Sequence, residues 1–171
     1  FDETLIAGEE PELCRRILAD GQSILHVDLP MTLHDLAITR FSQYWKRATR
    51  AGHAYAEVSA RFANTANPFW TAEVRRNRSR ALTFLMLFLV TFLGSLSAHS
   101  ILPALIALAL FAALTLRTAW KARWKSSTAL TLLLYAAHSH LQQIPIAYGQ
   151  ASFYQSRHHG RRVALVEYKR T

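Results

Sequence analysis

The side chains able to do chemistry in this 171-residue chain are few and fall in small groups. Glu9 and Glu10 stand together just before Pro11 and a run, ELCRRILAD, whose apolar spacing is helical. His34-Asp35 follows, and the histidines His138, His140, His158 and His159 lie in the second half. A carboxylate can serve as a general base toward a hydroxyl, and a neighbouring acid can orient it. Histidines with carboxylate partners would suggest a metal. His138 and His140 are two residues apart, however, so on a helix they point to different faces, and no acidic or cysteine partner is near in sequence. Cys14, the single cysteine, supports neither an internal disulfide nor a Cys-based zinc site and reads as a packing residue inside a helix.

The elements that would position these groups can be read locally. Pro11 suits the first helical position, which places Glu9 and Glu10 at the helix mouth, where the positive end of the dipole and unpaired N–H groups stabilise carboxylates. Helix capping alone would also account for them. Leu13, Ile17 and Leu18 give that helix an apolar face and Gly21 ends it. SILHVDLP, residues 23–30, alternates as a strand does, and His34-Asp35 would then open the next helix. Acid, helix, strand and histidine in that order predict an α/β arrangement over residues 1–35.

From residue 36 to 63 the period changes. Phe41, Tyr44, Trp45, Ala48, Gly52, Tyr55 and Phe62 recur at three- and four-residue steps, and Arg40, Arg47, Arg50, Glu57 and Arg61 fall on another stripe. Such a helix can lie in a headgroup plane, with Arg40, Trp45, Lys46, Arg47 and Arg50 as its membrane-interface residues. A surface helix packed on a soluble core is the alternative. Residues 64–80 read as a basic linker beginning with the helix-breaking NTANP.

Charge and hydropathy point to lipid. The formal net charge is +9, and the bases cluster beside a dense apolar block. Within residues 81–116, the stretch 81–98 carries no charge and would extend about 27 Å as a helix, close to a bilayer core of about 30 Å. A second uncharged stretch, 101–116, follows a short turn. Together they predict a two-helix transmembrane hairpin with both ends on one side. Arg75, Arg76, Arg78 and Arg80 precede it and Arg117, Lys121, Arg123 and Lys125 follow it, so the positive-inside rule makes that side cytoplasmic. A buried soluble hairpin would show a polar stripe, which these stretches lack. Residues 117–156 hold an apolar run too short to span, TALTLLLYAA, and read as interfacial or re-entrant; residues 157–171 form a basic tail with a strand-like VALVEY. A nucleic-acid partner is not expected, because the bases flank apolar spans instead of lining a polar groove.

FDETLIAGEEPELCRRILADG, with DLPMTLHDLAITRF and the aromatic-basic helix after it, resembles the C-terminal part of a membrane-attached bacterial family 2 glycosyltransferase of the GT-A fold. The resemblance covers about residues 1–57, and the hairpin is similar to the tails of membrane-bound members. It implies an α/β fragment, the C-terminal part of a GT-A-like domain, followed by a mainly helical membrane region. It assigns the catalytic base to Glu10, where the family more often has Asp, with Glu9 beside it, and matches His34 to a histidine of the metal and diphosphate site. It implies a divalent cation, Mg or Mn, held mostly by an upstream half that is missing here. The partners implied are a nucleotide-sugar donor, a lipid or glycan acceptor and an anionic membrane, with the catalytic part on the cytoplasmic side of a bacterial inner membrane. Gln43-Tyr44-Trp45-Lys46-Arg47 only echoes the Gln-x-x-Arg-Trp motif of processive members. No Asp-x-Asp and no glycine-rich phosphate loop occurs, so the chain is expected to be a fragment of a longer enzyme, inactive alone. A small basic membrane hairpin acting as an anchor or interaction protein is the alternative.

Overall fold

A computed structural model describes residues 2, 4–29 and 38–160. Its elements are helices α1 (Glu9–Ala19), α2 (Phe41–Phe62), α3 (Thr71–Ser97), α4 (Leu102–Lys121), a single 3-10 turn at Arg123–Lys125, α5 (Ala129–Leu141) and α6 (Gln143–His158). Among the described residues there is no strand, which overturns the expected α/β fragment of a GT-A-like domain. Residues 22–28 run without regular structure, and Leu25 and Leu29 are largely exposed. Alternation in SILHVDLP is a local pattern, whereas a strand exists only when a second segment takes up its backbone hydrogen bonds. No described segment does so. His34 and Asp35, and the strand-like VALVEY of the tail, lie outside the described residues.

The chain forms two compact units. The first contains residues 1–75 together with residues from Pro145 onward. Its spine is α2, which buries Ala48, Gly52, His53, Ala54, Ala56, Val58 and Ser59. Small residues on that face let other backbone come close. A Cβ on Gly52 would lie 2.0 Å from the Ile146 carbonyl oxygen, and one on Gly149 would lie 2.0 Å from the Thr49 carbonyl oxygen. The two glycines are therefore reciprocal: each removes the side chain that would hold α2 and α6 apart.

The segment before α1 is bound to α2 by two arginines. Arg50 donates to the Ile6 carbonyl at 2.7 Å. Arg61 pairs with Asp2 and donates to Thr4 Oγ1 at 2.9 Å and Glu57 Oε1 at 3.2 Å. Gly8 then turns into α1 with φ 87°, where a Cβ would stand 3.1 Å from Val58 Cγ2, so both conformation and space call for glycine. On the other side of α1, Arg15 lies over the Phe69 ring and donates to the Asn67 carbonyl at 2.8 Å. Trp70, at a left-handed φ of 57°, is held between Phe69 and Tyr55 by ring contacts.

The second unit, residues 76–144, contains most of α3, then α4 and α5. The helices α3 and α4 are long and apolar enough to cross a membrane, with mean hydropathies of 1.7 and 1.9 over their most apolar windows. A soluble protein would bury such helices, but only 6% and 11% of these windows are buried. Phe88, Val90, Leu96, Leu102 and Leu108 all face outward. Three hydroxyls within the apolar stretches are satisfied internally, since Thr83, Thr91 and Ser97 each donate to the carbonyl four residues back at 2.8 to 2.9 Å, whereas Ser95 Oγ and Thr115 Oγ1 are buried without a partner among the described residues. The α3 helix starts at Thr71, so Arg75, Arg76, Arg78 and Arg80 are helical and continue the same axis as the apolar stretch. The α5 helix packs against α4, with the His140 ring set edge-on between Phe84 and Phe111.

Candidate functional site

Glu9 and Glu10 occupy the first two positions of α1, so the helix begins two residues earlier than a Pro11 start would place it, and Pro11 takes the third position. Glu9 is half-buried and Glu10 is exposed. Neither carboxylate makes a hydrogen bond or ion pair with the described residues. Glu12, one turn in, behaves differently: it is 4% exposed and its Oε1 accepts from Arg16 Nε at 2.8 Å. The first turn thus carries three acids at the positive end of the helix, of which Glu12 is structural and Glu10 is open to an approaching group. The mount is stiff, because Gly8 packs on α2 and Arg15 ties the far face of α1 to residues 67–70. An exposed carboxylate on such a mount can accept a proton from a hydroxyl brought to it.

A second carboxylate group lies along α2 and was not singled out from sequence as a unit. Glu57 sits between Arg61 and His53, its Oε2 3.4 Å from His53 Nδ1. Burial by itself would raise the Glu57 pKa, but the nearby His53 ring and the hydrogen bond from Arg61 outweigh it and leave the carboxyl below its ordinary value. Asp2 is held far below the ordinary carboxylate range, first by its hydrogen bonds from Thr4 and then by Arg61. The i, i+4 spacing of His53, Glu57 and Arg61 was a readable signal for this row. Its members face one another and the N-terminal segment, which makes it a brace and leaves no open group for substrate.

The proposed interface residues divide. Arg40 precedes α2, where its N–H and that of Thr39 both donate to Gln43 Oε1 at 3.0 Å. Phe41 is largely exposed and clusters with Tyr44 and Trp45. Lys46 and Arg47 are exposed, while Arg50 is engaged with Ile6. Only the first turns of α2 present an aromatic-basic surface, and the rest of the helix is core.

In the second unit a cavity of about 460 Å3 is lined by Arg80, Arg117 and Lys121 together with Thr118, Ser139 and His140. His140 Nε2 lies 3.2 Å from Thr118 Oγ1 and 3.4 Å from the Leu114 carbonyl, so its ring is committed to α4. His159 Nδ1 lies 2.8 Å from the Gln155 carbonyl. Among the described residues no three His, Cys, Asp or Glu side chains come together as a metal shell, and His34 lies outside them. The residues described do not by themselves fit the divalent ion that the resemblance implies.

Compared with protein-family models, curated proteins and solved structures, the chain matches none.

Proposed function

We propose that this chain is the membrane-attached portion of an inverting glycosyltransferase that moves a sugar from a nucleotide-sugar donor to a membrane-associated lipid or glycan acceptor. The observation that carries this reading is Glu10, an exposed carboxylate without a partner among the described residues, fixed at the mouth of a helix whose neighbouring acid, Glu12, is sequestered by Arg16. Glu10 takes the proton from the acceptor hydroxyl as that oxygen attacks the anomeric carbon and the diphosphate departs. Glu9, half-buried beside it, orients the same hydroxyl. Donor binding falls to residues outside this sequence, which contains neither an Asp-x-Asp nor a glycine-rich loop.

The site lies on the cytoplasmic side of a bacterial cell membrane in this reading. The α3 and α4 helices cross it, and the bases at residues 75–80 and 117–125 stay inside. An anchor without catalysis is the second reading, favoured by the exposed apolar surface of the hairpin. In that case Glu9 and Glu10 only complement the helix dipole. Membranes containing the whole protein, supplied with a panel of labelled nucleotide sugars, separate the two. Donor-specific incorporation of label into lipid or glycan supports the transferase, and incorporation equal to that of membranes without the protein supports the anchor.

A further inference from the structure

The basic cavity and the apolar groove beside it share two walls. Phe84 and Leu87 line the cavity that holds Arg80, Arg117 and Lys121, and they also line a second cavity of about 420 Å3 between α3 and α4, with Phe88, Ala107, Leu108 and Phe111. Polar and apolar spaces therefore meet along one groove. The polar part brings three cations to one place, with the hydroxyls of Thr83, Thr118 and Ser139 around them. None of the three pairs with a carboxylate among the described residues, and no Asp or Glu occurs in the sequence between Glu73 and Glu167. Like charges gathered without counter-charge repel one another, and a bound anion removes that repulsion.

We infer that this groove binds an anionic membrane glycerophospholipid, its phosphate between Arg80, Arg117 and Lys121 and one acyl chain along the apolar part. The charge of the lining chooses the headgroup. A choline or ethanolamine head brings its own cation, which needs an acidic partner, and the lining has none. An anionic head such as phosphatidylglycerol brings only the charge the site lacks. The apolar continuation chooses a lipid over free phosphate, because burial of methylene groups adds affinity that inorganic phosphate cannot recruit. His140 serves as a wall: held against Thr118 and Leu114 and flanked by Phe84 and Phe111, it keeps α5 beside α4 and so sets the width of the mouth.

The inference rests on α3 and α4 crossing a membrane, but not on the transferase reading. It is tested on the whole detergent-solubilised chain by lipid retention in native mass spectrometry. Phosphatidylglycerol, phosphatidylcholine and inorganic phosphate are offered in turn to the wild type, to Arg117→Gln/Lys121→Gln and to Arg78→Gln/Arg123→Gln. The two double variants lose the same charge, and the second pair does not line the cavity. Wild type should retain phosphatidylglycerol over phosphatidylcholine, and Arg117→Gln/Lys121→Gln should lower that retention roughly tenfold or more while Arg78→Gln/Arg123→Gln changes it little. Ala107→Phe, which fills the apolar part and leaves the cations in place, should also weaken retention, and unchanged helicity by circular dichroism shows that the fold survives. Equal losses in the two double variants would reduce the site to diffuse surface charge and overturn the inference. So would retention of inorganic phosphate as strong as that of the lipid. A chain that stays in aqueous solution without detergent would instead overturn the membrane reading beneath it.

Discussion

Arg61 meets three groups at once, Asp2, Thr4 and Glu57, and through them joins the first residues of the chain to α2. Replacing it with Met removes the charge while keeping most of the stem, and leaves Glu57 partly buried beside His53. Because Arg61 retains 31% of its side-chain exposure, solvent already screens the pairs, and a loss of about 1 to 2 kcal/mol is expected, readable by chemical denaturation. The pH dependence has a definite sign. Glu57 and Asp2 have folded pKa values below their ordinary ones, so their contribution is complete above those ordinary values and is lost as pH falls toward the folded values. The helical signal of the solubilised protein should therefore hold steady at neutral pH and weaken as pH drops below the ordinary glutamate value of 4.5. Glu57→Gln should be less stable at pH 7 and show a shallower acid slope; an unchanged slope would mean that the row does not brace the fold. At this scale the sequence was partly legible. Glu9 and Glu10 at a helix mouth follow from neighbours alone, but that Glu12 is the buried acid follows from where α1 packs, which no local pattern records.

Among the elements, the crossing of α2 and α6 rests on two absent side chains. Gly→Ala inside a helix ordinarily stabilises by about 1 kcal/mol through helix propensity. At Gly52 and Gly149 that gain opposes a Cβ placed 2.0 Å from a carbonyl oxygen of the facing helix, and backbone cannot turn aside as a flexible side chain can. Overpacking of this kind costs about 1 to 3 kcal/mol or more, so the clash wins. Gly52→Ala and Gly149→Ala should each lower the melting temperature of the first unit, and melting curves that rise instead would show that the helices are not in backbone contact. Neither glycine announces this partnership in sequence, because the contact joins residues almost a hundred positions apart. The misread strand has the converse cause: SILHVDLP satisfies a local period, yet pairing is a property of two segments. The apolar helices were legible because length and absence of charge are local. The mouth formed by Arg80, Arg117 and Lys121 was visible only as flanking charge, since Ser139 and His140 join it when α5 folds against α4.

At the scale of the whole molecule, the proposed orientation follows from the charge distribution and is open to test. The turn between α3 and α4 carries no Lys or Arg, whereas both outer flanks are basic. With the exposed Cys14 first changed to Ser, a cysteine at Ser97 or Ser100 should react with an impermeant thiol reagent from the periplasmic face of intact cells, and one at Ser126 only after the membrane is opened. Reversed labelling would invert the hairpin. The proposed catalytic role of Glu10 can then be tested on the whole protein. The direct measurement is sugar transfer by Glu10→Gln in native membranes, with nucleotide affinity determined on the same preparation and Glu12→Gln as the structural comparison. An amide of nearly the same shape cannot take the acceptor's proton, so Glu10→Gln should bind donor normally and lose about 10²- to 10⁴-fold in turnover, whereas Glu12→Gln should act mainly through stability. Near-full turnover in Glu10→Gln would contradict the account, leaving the acids at the mouth of α1 as partners of the helix dipole alone.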